Sequence, residues 1–155
     1  MKENMKKIRK TMTLSISEVF EKMFYIFLEP LDIRYDEYDM EAAISFEGTI
    51  SGDVRILFSR EIVMAMVQNM LGLEGDGITG QDMEDCSKEA VNMVCGNFLS
   101  RLDSTKVFNL SSPSFKEPGD LESGEDICRM DFDSDYGKIG VMVGFSLTQM
   151  RGSQP

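Results

Sequence analysis

Glu89 and Asn92 stand three residues apart in the run Asp82 to Leu102, DMEDCSKEAVNMVCGNFLSRL. The apolar residues of that run, Met83, Cys86, Ala90, Met93, Val94, Phe98 and Leu102, recur at helical spacing and are expected to face a core. Glu89, Asn92 and Gly96 fall at i, i+3 and i+7, so on a helix they share the opposite face. A carboxylate and a carboxamide side by side can hold a proton, a water or a cation. Gly96 beside them leaves room for another chain to come close. Helix stability does not favour this stripe, because Asn is a mediocre helix former and an interior Gly costs roughly 1 kcal/mol against Ala. The chain has no histidine, which excludes His-based general bases, Ser-His-Asp and Cys-His nucleophiles and His-containing zinc sites. Hydrolytic chemistry here has to run on carboxylates, amides or a partner's groups.

The elements that must position these residues follow from pattern. The 155 residues, 42% hydrophobic, suit one domain with a core of its own. A helix is expected from Leu14, with Ser15 and Glu18 as a capping box, an apolar face of Leu14, Val19, Phe20, Met23, Phe24, Phe27 and Leu28, and Pro30 as its stop. Residues 31–40 read as an acidic extended stretch. Residues 43–50 and 53–58 alternate about a Ser51-Gly52 turn and predict a hairpin. Ser59 caps a second helix, Arg60 to Leu71, which Gly72 ends. After the glycine-rich loop 73–81, Thr79 and Asp82 form a capping box for the helix that carries Glu89 and Asn92, which ends near Asp103. Residues 104–124 hold at most one strand, around Leu110 to Phe115, and a last hairpin spans 126–147. This order predicts an α+β fold: an antiparallel sheet with long helices on one face and a loose twofold repeat of helix plus hairpin. The expected organisation is a basic lead-in over 1–13, a single domain over 14–150 and a tail over 151–155.

Net charge is −11, and the basic residues of the first ten positions, four Lys and one Arg, are the main exception. A nucleic-acid binder carries a basic footprint that this chain lacks. No apolar run approaches the roughly 18 residues of a membrane span, and no signal-type segment follows the basic start, so a cytoplasmic location is expected. Cys86, Cys95 and Cys128 have no metal-ligand spacing and read as small buried hydrophobes in a reducing compartment. The 13 Met read as core filler.

Residues 14–147 resemble the CheX group of the CheC, CheX and FliY family of bacterial chemotaxis phosphatases. The resemblance rests on Glu89-Ala90-Val91-Asn92-Met93-Val94-Cys95-Gly96-Asn97 followed by Phe98-Leu99-Ser100. Its flanks agree: Glu18 to Met23, Phe46 to Val54, and Met70-Leu71-Gly72 stand in the family's order. The resemblance implies a CheC-like fold with a pseudo-twofold repeat, a homodimer, and hydrolysis of the aspartyl phosphate of a CheY-like response regulator. The regulator itself supplies Mg2+, and this chain needs no cofactor or metal of its own. Asn92 suits the task of positioning the attacking water, because a carboxamide is neutral and offers both a donor and an acceptor. Glu89, by resemblance, pairs with the regulator's lysine. Gly96 and Asn97 complete the motif as partner contacts, although a structural role is the plainer reading of Asn97. Relatives of the CheC type carry the motif twice. Here neither Glu18 nor Glu21 has Asn three residues on, so one site is expected. The alternative is a dimeric CheX-like adaptor that binds a signalling protein without hydrolysis. An intact Asn92 argues against it, since docking alone does not need that carboxamide.

Overall fold

The computed structural model describes residues 2–119 and 127–146. Helix α1 spans Lys2–Phe24, so it begins well before Leu14. The first ten residues are Lys, Glu, Met, Asn, Ile and Arg, most of them good helix formers. Met5 and Ile8 extend the apolar stripe of Met12, Ile16, Val19 and Phe20 toward the amino end. The expected capping box at Ser15 is therefore absent. Ser15 is buried in mid-helix, and its hydroxyl donates to the Thr11 carbonyl at 2.8 Å. Leu14, expected on the apolar face, is 48% exposed. The helix stops at Phe24 and not at Pro30, because Tyr25 takes a left-handed conformation, φ 57°. The amide of Asn69 donates to the freed Phe24 carbonyl at 2.8 Å. Phe27 lies beyond the helix and is exposed.

Strand β1 is Glu29–Leu31, β2 Met40–Glu47 and β3 Gly52–Phe58. Helix α2 spans Arg60–Leu71, a 3-10 turn covers Gly75–Gly77 and helix α3 spans Gly80–Leu102. Strands β4 (Asn109–Leu110), β5 (Ser114–Lys116), β6 (Ile127–Asp133) and β7 (Ile139–Phe145) complete the fold. Ser59 holds the N-cap position of α2, but its hydroxyl serves the residue before β7, donating to the carbonyl of Lys138 and accepting from its N–H. The Asp39 carboxylate accepts from the Arg60 N–H instead, at 2.7 Å. Gly72 ends the helix in the left-handed region, φ 70°, as its position predicts.

The strands form one antiparallel sheet in the order β1-β6-β7-β3-β2-β4, with β5 also on β2. That order is symmetric about the β7–β3 pair. Each hairpin is flanked by the short segment that follows the helix of the other half: β1 after α1 lies on β6, and β4 and β5 after α3 lie on β2. The three helices pack with one face of the sheet to make the main core, which holds Phe20, Phe24, Phe46, Phe58, Phe98 and Phe132. The other face carries a smaller cluster in which Tyr38 covers Leu57 and Met142, and the Tyr38 hydroxyl donates to Asp131 at 2.6 Å. The α+β reading holds, with two local corrections. Residues 48–51 form a four-residue connection between β2 and β3 in place of a Ser51-Gly52 turn. Residues 104–119 carry two short strands, where one was expected. The last hairpin falls as expected over its described part. Residues 120–126 and 147–155, which include its outer ends and the expected tail, lie outside the described residues.

Gly52 belongs to β3, and its need for glycine comes from the neighbouring strand. A Cβ there would lie 2.0 Å from the carbonyl oxygen of Gly144 on β7. Gly52→Ala should therefore push the two central strands apart and cost about 1–3 kcal/mol, the range for overpacking. Urea denaturation reads this as a lower midpoint, and an unchanged midpoint would contradict the close approach.

Candidate functional site

Helix α3 is fixed at both ends and along one side. The Thr79 hydroxyl accepts from the Asp82 N–H at 3.0 Å, and the Asp82 carboxylate accepts from the Thr79 N–H at 2.9 Å. This is the capping box its sequence predicts. Asp103 closes the other end. Met83, Cys86, Ser87, Ala90, Val91, Val94, Cys95, Phe98 and Leu99 are buried against α1, α2 and the sheet. Met93, expected in that stripe, is 42% exposed. Its helical neighbours at three and four residues are 89, 90, 96 and 97, so it stands at the edge of the polar face. Leu102 is half-buried and packs at the margin of the core.

The structure brings Glu89, Asn92, Gly96 and Asn97 together on the solvent side of α3. Glu89 is exposed, and the other three are half-buried. Asn92, Met93, Gly96, Asn97, Ser100 and Arg101 form a groove with Leu110 of β4, about 570 Å³ in volume. A smaller hollow of about 180 Å³ continues it past Gly96 and Ser100 to Asp103, Lys106 and Phe108. A Cβ placed on Gly96 would meet nothing within 4 Å. Gly96 is therefore not a contact between helices of this chain. It is the open floor of the groove.

The two motif side chains differ from their neighbours in their bonding. Neither Glu89 nor Asn92 has a hydrogen-bond or ion-pair partner among the described residues. Both are free to meet an incoming molecule. Asn97 is already engaged: Arg101 Nε donates to its Oδ1 at 2.7 Å. The Arg101 guanidinium also reaches across to Glu18 of α1, whose second oxygen takes Lys22 Nζ at 2.6 Å. The hydrogen bonds from Lys22 and then Arg101 hold the Glu18 carboxyl down at about 2. Sequence reasoning missed Arg101 and Leu110. The spacing of Arg101 four residues after Asn97 was an available signal, whereas nothing local places Leu110 beside α3.

The cysteines of α3 offer no nucleophile. Burial first, and the nearby Glu89 carboxylate second, push the Cys86 thiol up to about 12. Burial, with Asp53 behind it, does the same to Cys95. Among the described residues no group of three or more His, Cys, Asp or Glu side chains is placed to hold a metal ion. No helix among them is long and apolar enough to cross a membrane.

The fold is that of solved CheX and CheC-like chemotaxis proteins. CheX from Vibrio vulnificus superposes with a TM-score of 0.77 at 23% identity, covering 90% of this chain and 96% of that one. CheX from Desulfovibrio desulfuricans gives 0.75 at 21% identity, covering 90% and 99%. A chain of the CheX–CheY–BeF3–Mg2+ complex from Borrelia burgdorferi gives 0.69 at 17% identity, covering 88% and 96%. No curated protein matches the sequence. The family described as chemotaxis phosphatase CheX matches residues 40–132, more than half of the chain and all of α3. The chain belongs to the CheX family of chemotaxis phosphatases.

Because the folded pKa of Glu18 lies below its ordinary value of 4.5, its contribution to stability is complete above that pH. It is lost as the pH falls toward about 2. Denaturation of wild type and Glu18→Gln across this window should show the wild type losing its advantage as the solution is acidified. Parallel stability curves would contradict the Glu18 contacts. Both partners are partly exposed, so the effect should shrink in high salt.

Proposed function

We propose that this protein dephosphorylates a CheY-like response regulator, with Asn92 positioning the attacking water and Glu89 engaging the regulator. The observation that supports the reading most strongly is the open floor at Gly96 beside the unpartnered Asn92 and Glu89, on a helix otherwise locked into the core. A rigid helix with a bare face can enter a shallow active site on another protein. In the regulator the acyl phosphate sits beside Mg2+ and a lysine, which neutralise its oxygens. What remains to be supplied is a water in line with the leaving carboxylate. The Asn92 carboxamide can accept one hydrogen bond from that water and donate another, without repelling the phosphoryl group. The water oxygen forms a bond to phosphorus and the bond to the aspartyl oxygen breaks. The products are a free carboxylate, inorganic phosphate and a proton released to solvent. Glu89, three residues before Asn92 on the same face, pairs with the regulator's lysine and holds the two proteins engaged in register. No covalent intermediate forms on this chain, and a homodimer belongs to the same reading.

The test is the loss of radiolabelled phosphate from phosphorylated regulators of the source organism. Wild type should accelerate it on at least one regulator. Asn92→Ala should fold normally and lower the stimulated rate by on the order of 100-fold or more. Retained activity would refute the water-positioning role. Glu89→Ala should raise the regulator concentration needed for half-maximal rate, and an unchanged concentration dependence would count against its pairing. Binding of a regulator without any acceleration would favour the adaptor reading instead.

Gly96→Ala separates stability from function. It should stabilise the fold by up to about 1 kcal/mol, since the added methyl meets nothing in this chain and Ala is the better helix former. The same variant should slow dephosphorylation by filling the floor of the groove. A variant that is both more stable and fully active would remove Gly96 from the interface.

A further inference from the structure

Asn97 and Asn92 both line the groove, but only Asn97 has its amide orientation set within the chain. An arginine has donors and no acceptor, so the atom facing Arg101 Nε has to be the Asn97 oxygen. That leaves the two amide hydrogens of Asn97 without an acceptor among the described residues. Arg101 is held in turn by Glu18, which reaches over from α1 and is itself held by Lys22. The bridge crosses from the first half of the fold to the second and ends at the groove. Side-chain exposures of 38% for Arg101 and 28% for Glu18 leave it open to solvent screening, so clamping α1 to α3 is a weak reason for its presence. Glu18 also lies outside residues 40–132, the span that defines the family match.

We infer that Arg101, anchored by Glu18, is a positioning residue that fixes the Asn97 amide with its N–H2 group toward the groove, as a donor pair for a carbonyl or carboxylate on the bound response regulator. The inference rests on the phosphatase reading for the identity of the partner. It assigns α1 a part in the site, although α1 carries no Glu-x-x-Asn motif. It also makes Asn97 a specificity element and not a reacting group: its donors select an acceptor at one place on the partner's surface. Loss of the orientation should therefore weaken engagement and leave the chemical step alone.

A charge inversion separates orientation from clamping. In the triple variant Glu18→Arg, Lys22→Glu, Arg101→Glu, the ion pairs between and along the helices are rebuilt with reversed signs. The new carboxylate at position 101 can only accept, so Asn97 has to turn its N–H2 group toward it and present its oxygen to the groove. Arg101→Met removes the donor and keeps most of the stem. Each protein is measured three ways: thermal stability, KM and kcat for the phosphorylated regulator, and Kd for the same regulator trapped with beryllofluoride. Arg101→Met should raise KM and Kd by about tenfold, the effect of one or two lost hydrogen bonds, with kcat changed less than about twofold. The triple variant should recover wild-type stability and keep the raised KM and Kd. Recovery of KM and Kd together with stability would reduce the bridge to a clamp and overturn the inference. An unchanged KM and Kd in Arg101→Met would overturn it as well. Wild type that binds the trapped regulator but accelerates no hydrolysis would overturn the phosphatase reading alone, with Kd still deciding the role of Arg101. Wild type that binds no regulator would overturn both.

Discussion

Helix α3 has to be buried along one side and bare along the other, and the rest of the molecule serves that division. Gly96 costs the helix about 1 kcal/mol against Ala, and Asn92 costs somewhat less. Fully burying a single Val, Leu or Phe returns roughly 1.5–3 kcal/mol. Val91, Val94, Phe98 and Leu99 are all buried on the inner side, so core packing exceeds the local cost several times over. The helix stands because of what it packs against, and its outer face is left free for Glu89, Asn92 and Gly96, which do nothing for stability. The Thr79–Asp82 box and Asp103 fix its ends, so the exposed stripe is carried on a rigid rod.

The sheet supplies the symmetry that places α3 opposite α1. Each half lends its short crossing segment to the other half's hairpin, so neither half is complete alone. Symmetry of the backbone does not extend to the chemistry. Where a second motif could have stood, α1 presents Glu18, and that carboxylate turns toward Arg101 on α3. Two helices of equal length thus differ in what they carry: α3 holds both amides of the groove, and α1 holds the carboxylate that pairs with the arginine bonded to Asn97. The groove between Asn92 and Leu110 closes the arrangement, with β4 forming the wall that α3 lacks.

Features with local physical signals were legible in the sequence. The capping box of α3, the left-handed Gly72 and the alternation of the two hairpins all lie within a few residues of one another. The site stripe was legible for the same reason, since Glu89, Asn92 and Gly96 need only a helical period to come together. The start of α1 was not. Its lysines suggested a solvated lead-in, but Met5 and Ile8 continue the apolar stripe and carry the helix back to Lys2. Met93 was misplaced because it sits one step off the buried stripe, where periodicity alone cannot choose a side. The Ser51-Gly52 turn was misread because the glycine answers to Gly144 on a strand far along the chain. Arg101 meets Glu18, and α3 meets Leu110, only through tertiary packing, so no local pattern could have joined them.

The function proposed for this site requires α3 to enter the regulator with its bare face. The measurement that tests it most directly is a crystal structure of this protein with its response regulator trapped by beryllofluoride and Mg2+. Gly96 should lie in van der Waals contact with the regulator, Asn92 within hydrogen-bond distance of the trapped phosphoryl mimic or the water in line with it, and Glu89 should pair with the regulator's lysine. A regulator docked on the outer face of the sheet, over Tyr38 and Met142, with the α3 groove empty, would contradict it.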